Sequence, residues 1–301
     1  MGKVNILHLY PLSFGEFLDG RQKTMLRELI NTKTNFEAIE KKFHDELIED
    51  LKMYFFIGGM PEAVKQYLED KDLNKTRKIQ KEILQGYEAD FAKHASKLDA
   101  IKIATIWKAI PSQLAKENKK FTFSILKKHA RPRDYNEAIQ WLISAGYVCK
   151  SHRIKTPNLP LSGYIEENVF KLFLLDVGLL GAMLDLTPTT IIAGNKLFSW
   201  YNGAFTENFV AQELIANGQE NLYYWASGDT AEVDFVIPYQ EHIFPLEVKA
   251  GSITKAKSLQ VYDHKYNPAI LSRASQLNFN NRNRYSDYPL YAISLFPKIY
   301  K

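Results

Sequence analysis

The chain has 301 residues, which is too long for one small hydrophobic core and fits two or three domains. Apolar residues make up 46% of the sequence and charged residues 24%, and the 17 Tyr and 18 Phe exclude a wholly disordered chain. Cys149 is the only cysteine, so an internal disulfide and a cysteine-based zinc site are excluded. No apolar run approaches the roughly 20 residues that span a bilayer, and we expect a cytoplasmic protein without a membrane partner.

The first part of the chain, residues 1–95, is predicted to be mainly helical. Ser13 precedes Glu16 by three residues, which is the spacing of a capping box and predicts the start of a helix. Helical periodicity follows over residues 35–56, 61–69 and 73–94. A pair of glycines separates the first two of these segments, and Pro61 suits the first position of the next helix.

The second part, residues 96–188, is predicted to be a domain of the winged helix-turn-helix type with a connector. Short helical segments are predicted over residues 101–116, 124–130 and 135–145. Gly146 ends the third of them, and residues 147–153 begin a pair of strands. Three short helices followed by two strands are the sequence plan of a winged helix, which serves DNA binding or protein docking. An apolar stretch over residues 169–184 then predicts a strand and a short buried helix.

Positive charge is concentrated in this second part. Residues 116–155 contain ten Lys or Arg against three acidic residues, a local net charge of +7 in a chain whose formal net charge is +5. A nucleic-acid backbone is a partner that such a surface suits, whereas the plain alternative is a solvated basic face. Asp134 and Glu137, which lie beside and in the predicted third helix, count against sequence-specific binding of this helix in the DNA major groove. The candidate nucleic-acid-binding residues are Lys127, Lys128, Arg131, Arg133, Lys150 and Arg153.

The third part, residues 189–301, has the predicted element order αβββαβ. A helix over residues 197–217 holds Glu207. Strands are predicted over residues 222–225, 231–237 and 243–249, followed by a helix at 258–266, a strand at 269–272 and a closing strand at 290–295. The fold class that follows is α+β, with several domains.

The hairpin between the second and third of these strands carries the candidate chemistry. If Pro238 pairs with Ile243, Asp234 lies opposite Glu247, and Lys249 lies on the same face. Two facing carboxylates repel each other unless a positive charge lies between them. A divalent ion meets that need, and Mg²⁺ prefers such oxygen ligands. The plain alternative is a surface ion pair of Lys249 with the residue opposite it, Glu232, worth about 0.2–1 kcal/mol.

Asp234, the run Glu247-Val248-Lys249 and the upstream helical Glu207 together resemble the PD-(D/E)XK nuclease superfamily, which has a D…ExK motif and a helix glutamate. The resemblance implies a restriction-endonuclease-like fold for the third part. It also implies catalytic roles for these residues. Asp234 and Glu247 would hold the metal ion, Lys249 would orient or activate the attacking water, and Glu207 would complete the metal site.

A wider resemblance covers most of the chain. Residues 9–17 (LYPLSFGEF) and 54–62 (YFFIGGMPE) are similar to segments of prokaryotic AAA-type ATP-binding proteins that carry an uncharacterised C-terminal domain with this same motif. No G-x-x-x-x-G-K-[ST] loop precedes Leu9 in this sequence. We therefore expect residues 1–95 to be the lid-like region of an ATPase whose nucleotide-binding core is missing from this chain, and we expect no ATP hydrolysis by the chain alone.

Three hypotheses about the function stay open. The leading hypothesis is a Mg²⁺-dependent nuclease module that hydrolyses nucleic-acid phosphodiesters. The alternative is a non-catalytic regulatory or DNA- or protein-binding C-terminal half of an AAA-type ATPase. That alternative predicts an exposed apolar surface near residues 54–57 and self-association. A DNA-binding protein without cleavage, in turn, predicts salt-sensitive binding that survives the loss of Asp234.

Overall fold

The computed structural model describes residues 7–116, 118–189, 203–228, 230–251 and 257–299. Within them the chain has an α+β architecture with two mixed sheets, as the sequence predicts at this level. One helical layer comes from the N-terminal part, and the sheets come from the rest of the chain.

Five helices make up the N-terminal layer: α1 Phe14–Gly20, α2 Thr24–Asn31, α3 Lys41–Ile57, α4 Pro61–Asp70 and α5 Leu73–His94. The predicted capping box is confirmed, because Ser13 and Glu16 each accept a hydrogen bond from the other's backbone N–H. Pro61 lies at the first helical position of α4, also as predicted. Gly58 ends α3 with φ +74°, a conformation that favours glycine.

The region predicted to be a winged helix differs from that plan in its middle helix. The first and third helices are α6 Lys97–Leu114 and α7 Asn136–Ser144. Between them the predicted helix over 124–130 is absent, and only a 3₁₀ turn, Phe123–Ile125, occurs there. His129 adopts φ +65°, which breaks a right-handed helix, and Pro132 opens a second 3₁₀ turn.

The two strands that follow are part of a larger sheet and do not project as a free hairpin. β1 Val148–Ile154 pairs antiparallel with β2 Ile165–Leu174. Its other edge pairs parallel with β3 Leu222–Ser227 from the C-terminal part. After β2 the chain enters the short helix α8 Val177–Met183, so the predicted strand and buried helix are both present.

The C-terminal part has the predicted helices and strands in order with two differences: the single strand predicted over 231–237 is two strands, and the last predicted element is not a strand. Helix α9 Ala204–Ala216 precedes β3, and residues 197–202 of the predicted helix lie outside the described residues. The remaining elements are β4 Ala231–Val233, β5 Phe235–Tyr239, β6 His242–Val248, helix α10 Lys257–Tyr266, β7 Leu271–Ser275, β8 Asn280–Arg282 and β9 Tyr285–Pro289. The predicted closing strand over 290–295 is wrong: residues Leu290–Leu295 form a 3₁₀ helix, and the strand is β9.

Strand order is β2-β1-β3-β4 in one sheet and β5-β6-β7-β9-β8 in the other. β4 and β5 follow each other directly, separated only by Asp234, so the two sheets meet at this residue. Phe235 pairs with Leu246 and Pro238 pairs with Ile243, which confirms the predicted register of the hairpin.

The main hydrophobic core runs through all three predicted parts. It includes Phe14 and Phe55 of the helical layer, Trp107 of α6, and Phe209 of α9. Residues 54–57, predicted by the non-catalytic alternative to form an exposed apolar surface, are at most 1% exposed. That expectation is wrong for this chain, because the segment packs inside this core, where Tyr54 and Phe55 contact the Phe209 ring.

Side chains of α9 hold the N-terminal segment. Glu213, which is buried, accepts a hydrogen bond from the Phe14 backbone N–H at 2.8 Å. Gln212 donates to the Tyr54 hydroxyl at 2.7 Å, and that hydroxyl donates to the Leu12 carbonyl oxygen at 2.5 Å. The start of α1 is therefore bound directly to the C-terminal part of the chain.

Within the described residues, none of the helices has the length and apolar character needed to cross a membrane.

Candidate active site

Glu207 lies in the first turn of α9 and is buried. Its two oxygens accept hydrogen bonds from the Lys119 ammonium at 2.6 Å and the Lys171 ammonium at 3.2 Å. Burial alone would raise the pKa of Glu207, but these two charges outweigh it and lower the pKa. Gly203 precedes the helix with φ +90°, and a Cβ there would meet Lys119 Nζ at 2.9 Å. The glycine therefore makes room for the lysine.

Lys171, on β2, has no solvent exposure and lies among three carboxylates. Its ammonium is 2.5 Å from Glu232, 3.2 Å from Glu207 and 3.8 Å from Asp234. Burial would lower the pKa of Lys171, but the three negative charges raise it, so the side chain stays charged. Lys171 thus balances the charge of Glu207, Glu232 and Asp234, while Glu247, the other carboxylate of the predicted pair, contacts Lys249.

Asp234 lies where the two sheets meet and is 8% exposed. One of its oxygens accepts a hydrogen bond from the Val248 backbone N–H at 2.8 Å, which ties it to the strand that carries Glu247. Burial, reinforced by the charge of Glu207, raises the pKa of Asp234 against the opposing effect of Lys171. Asp234 thus contacts the strand of Glu247 through Val248, while the last backbone pair of the hairpin is Phe235 with Leu246, one position before the predicted pair of Asp234 with Glu247.

Glu247, on β6, is 3% exposed. Its Oε1 is 2.5 Å from Lys249 Nζ, while its buried Oε2 has no hydrogen-bond partner among the described residues. The plain alternative for Lys249, a surface pair with Glu232, is wrong because Glu232 pairs with Lys171. We refer to Glu207, Glu232, Asp234 and Glu247 as the acidic cluster.

The donor set can be compared with the needs of a divalent ion. Within the described residues, no three His, Cys, Asp or Glu side chains converge in a way that could hold a metal. Glu207 is engaged by two lysines, which leaves Asp234 and Glu247 as the available carboxylates. Mg²⁺ is often held by one or two carboxylates, with water and substrate phosphates as the other ligands. An unpaired buried oxygen on Glu247 fits such an ion.

Sequence reasoning missed the two lysines that hold Glu207. Lys119 lies among the ten Lys and Arg residues of positions 116–155. Its charge alone did not distinguish it from the exposed lysines beside it. Lys171 did carry a signal, because it is the one charged residue in the apolar run of residues 169–175. A lysine in a strand that is otherwise buried needs a buried partner.

The predicted nucleic-acid-binding residues divide into two groups. Lys150 lies over the Phe170 ring at 4.5 Å, and Arg153 forms an ion pair with Glu166. The other four are exposed and lie on the loop between the 3₁₀ turn at Phe123–Ile125 and α7: Lys127, Lys128, Arg131 and Arg133.

Comparison with known families found two matches. Residues 48–190 match a family described as domain of unknown function (DUF8612), and residues 202–295 match domain of unknown function (DUF4143). The second is a domain often found in C-terminal regions associated with AAA-type ATPases. No curated protein and no solved structure matches the chain. The region that carries Glu207, Asp234, Glu247 and Lys249 is thus similar to a domain of unknown function.

Proposed function

We propose that the C-terminal part of this chain is a restriction-endonuclease-like module that hydrolyses nucleic-acid phosphodiesters with a divalent metal ion. The observation that carries the proposal is the buried Oε2 of Glu247, which has no partner among the described residues and lies on the strand tied to Asp234. An unpaired buried carboxylate oxygen is costly. A metal ion that this oxygen and Asp234 hold together would remove that cost.

The charge balance of the site supports the same function. Four carboxylates of the acidic cluster face three ammonium groups, those of Lys119, Lys171 and Lys249. This leaves one net negative charge when all groups are ionised; the raised pKa of Asp234 favours a proton on that carboxyl until a bound ion displaces it. One Mg²⁺ together with one phosphodiester adds a single positive charge and brings the balance to zero. We therefore expect the metal to bind more tightly when nucleic acid is present.

Each side chain then has a defined role. Asp234 and Glu247 would hold the ion, and the ion when bound would polarise the phosphate and lower the pKa of a bound water. Lys249 contacts Glu247 and its side chain is about one-third exposed, so it would orient or activate the attacking water beside the ion. Glu207 acts as a positioning residue, because its oxygens hold Lys119 and Lys171.

The test combines metal binding with cleavage. Mg²⁺ and Mn²⁺ are titrated calorimetrically into wild type and Glu247→Ala, with and without a short DNA oligonucleotide, and labelled DNA and RNA are assayed for cutting. We expect saturable binding that Glu247→Ala removes, and cutting that Asp234→Asn removes. Asp263→Asn is the control, because Asp263 lies on α10 and pairs with Arg284 outside the cluster. Unchanged cutting by a folded Asp234→Asn would rule out the assignment.

A second candidate function rests on Lys171. Its ammonium already lies among Glu207, Glu232 and Asp234, where a metal would otherwise balance charge. On this view the chain is a non-catalytic regulatory or DNA- or protein-binding half of an AAA-type ATPase, and the association of DUF4143 with such proteins supports it. Wild-type protein that neither binds metal with DNA present nor cuts DNA or RNA would favour this second function.

A further inference from the structure

We propose that a surface cavity beside the acidic cluster binds the phosphate groups of the nucleic-acid strand on which the site acts; this inference rests on the proposed function. The cavity has a volume of about 510 Å³. Both of its charged lining residues, Lys116 and Lys120, are exposed lysines. We call it the phosphate cavity; its other lining residues are Asn118, Phe121, Thr122, Phe123 and Asn168.

The backbone places this cavity next to the candidate site. Lys119 is buried and its ammonium contacts Glu207, whereas the next residue, Lys120, is exposed and lines the cavity. The Phe121 backbone N–H donates to the Phe170 carbonyl oxygen at 2.8 Å, which attaches this segment to β2 directly beside Lys171. One short segment therefore supplies a cation to the buried site and another to the cavity outside it.

The chemistry of the lining suits a phosphate on a sugar–base backbone. No described residue that lines the cavity is acidic, and Asn118, Thr122 and Asn168 add polar groups beside the two ammonium groups. The segment is held in shape, because Asn118 accepts a hydrogen bond from the Lys120 N–H at 3.0 Å and Gln113 accepts one from the Thr122 N–H at 2.6 Å. Phe121 and Phe123, which are largely buried, add apolar lining beside which a sugar or base can pack.

Further basic groups lie near Glu166 of β2. Arg153 pairs with Glu166, and the Lys155 backbone N–H donates to the Tyr164 carbonyl oxygen at 2.9 Å, close to that pair in the chain. The hydrogen bond from Arg153 and the charges of Lys155 and Lys120 lower the pKa of Glu166. The Glu166 carboxylate therefore feels the charges of three cations, and one of them, Lys120, lines the cavity.

The test measures binding apart from cleavage. Fluorescence anisotropy with a labelled 20-nucleotide single strand is recorded in EDTA over a range of salt concentrations, using Lys116→Gln/Lys120→Gln. The loss of two phosphate contacts should weaken binding and lower the slope of log K against log salt by about 1.4. Lys65→Gln/Lys78→Gln is the control, because both lysines are more than three-quarters exposed on the N-terminal helices and lie in similar surface pairs.

The possible outcomes separate this inference from the proposed function. Binding that depends on Lys116 and Lys120 without any cleavage by wild type would support the phosphate cavity and refute the nuclease. Cleavage whose KM is unchanged in Lys116→Gln/Lys120→Gln would refute the cavity and keep the nuclease. Loss of binding only in Lys127→Gln/Lys128→Gln would assign the binding to the loop between the 3₁₀ turn at Phe123–Ile125 and α7, and would overturn the inference.

A free anion is the other source of the same chemistry. In a parallel titration inorganic phosphate is added while the resonances of the lysine side chains are followed by NMR. Phosphate binding at this cavity without any binding of the oligonucleotide would overturn the inference, since it commits the cavity to a nucleic-acid strand. Competition of phosphate with the oligonucleotide, lost in Lys116→Gln/Lys120→Gln, would support it.

Discussion

Replacing Lys171 with methionine tests whether the buried charges hold the C-terminal part together. The side chain has no solvent exposure, and its ammonium contacts Glu207 and Glu232 and lies 3.8 Å from Asp234. Methionine fills a similar volume but leaves these carboxylates without their shared cation. Removal of one partner of a buried ion pair costs about 3–5 kcal/mol, because a charge remains buried without compensation.

That energy converts into a change of melting temperature. Unfolding entropy is about 2.1 cal/mol/K per residue, so for a chain of this length it is about 0.6 kcal/mol/K. A loss of about 3–5 kcal/mol then lowers the Tm by roughly 5–8 °C. Differential scanning calorimetry at neutral pH measures this shift directly, and circular dichroism at low temperature checks that the variant is folded.

Lys81→Met is the matched control for this prediction. Lys81 pairs with Asp185 at 2.6 Å, but the two side chains are 50% and 78% exposed. An exposed pair contributes at most about 1 kcal/mol, so we expect a Tm shift below roughly 2 °C. Equal shifts for the two variants would refute the view that Lys171 balances a buried cluster. Glu232→Gln added to Lys171→Met should recover part of the loss, because Glu232 pairs with Lys171 and its uncompensated charge is then removed.

Three further predictions follow from other contacts. Burial raises the pKa of Glu213 to about 7 from an ordinary 4.5, so the folded state holds this proton more tightly than the unfolded state does. The contribution of Glu213 to stability is therefore fully present below pH 4.5 and falls by on the order of 3 kcal/mol as the pH rises to about 7. Urea unfolding measured across this range should show that the free energy of unfolding of Glu213→Gln depends less on pH than that of wild type. An equal pH dependence for the two proteins would contradict the assignment. Gly203→Ala should lower the Tm by roughly 2–3 °C, because alanine is strained at φ +90° and its Cβ would displace the Lys119 ammonium. An unchanged Tm would contradict the view that Gly203 makes room for Lys119. Lys249→Met should keep metal binding within about threefold of wild type while lowering the cleavage rate at least 100-fold, and equal loss of both would show that this lysine mainly holds Glu247.

The register of the hairpin beside Glu247 was predictable, whereas the break at Asp234, which places residues 231–233 in the other sheet, was not. Alternation with period two and a short polar connection together fix its register, so the pairing of Pro238 with Ile243 followed from local sequence. The capping box at Ser13 was predictable for the same reason, because its partner is three residues away. Local patterns thus gave the elements that bear the candidate site.

The features that could not be predicted from the sequence depend on contacts between residues that are distant in the chain. The ion pairs of Glu207 join it to residues 88 and 36 positions earlier, and no local spacing encodes such a pair. The parallel pairing of β1 with β3 likewise brings together strands from different predicted parts. Helical periodicity over residues 124–130 wrongly predicted a middle helix for the winged-helix plan. The positive φ of His129 and the 3₁₀ turn that begins at Pro132 are not helical.

The hydrogen bond from Phe14 to Glu213 also constrains the order in which the protein can fold during synthesis. Its two residues are 199 positions apart, and the contacts of Ile39 with Asn278 and of His44 with Tyr291 span 239 and 247 positions. The N-terminal helices leave the ribosome long before these partners are synthesised. Much of their apolar surface therefore stays exposed until the last third of the chain has been made. Ribosome-bound fragments that stop before α9 should therefore be far more sensitive to protease than the finished chain.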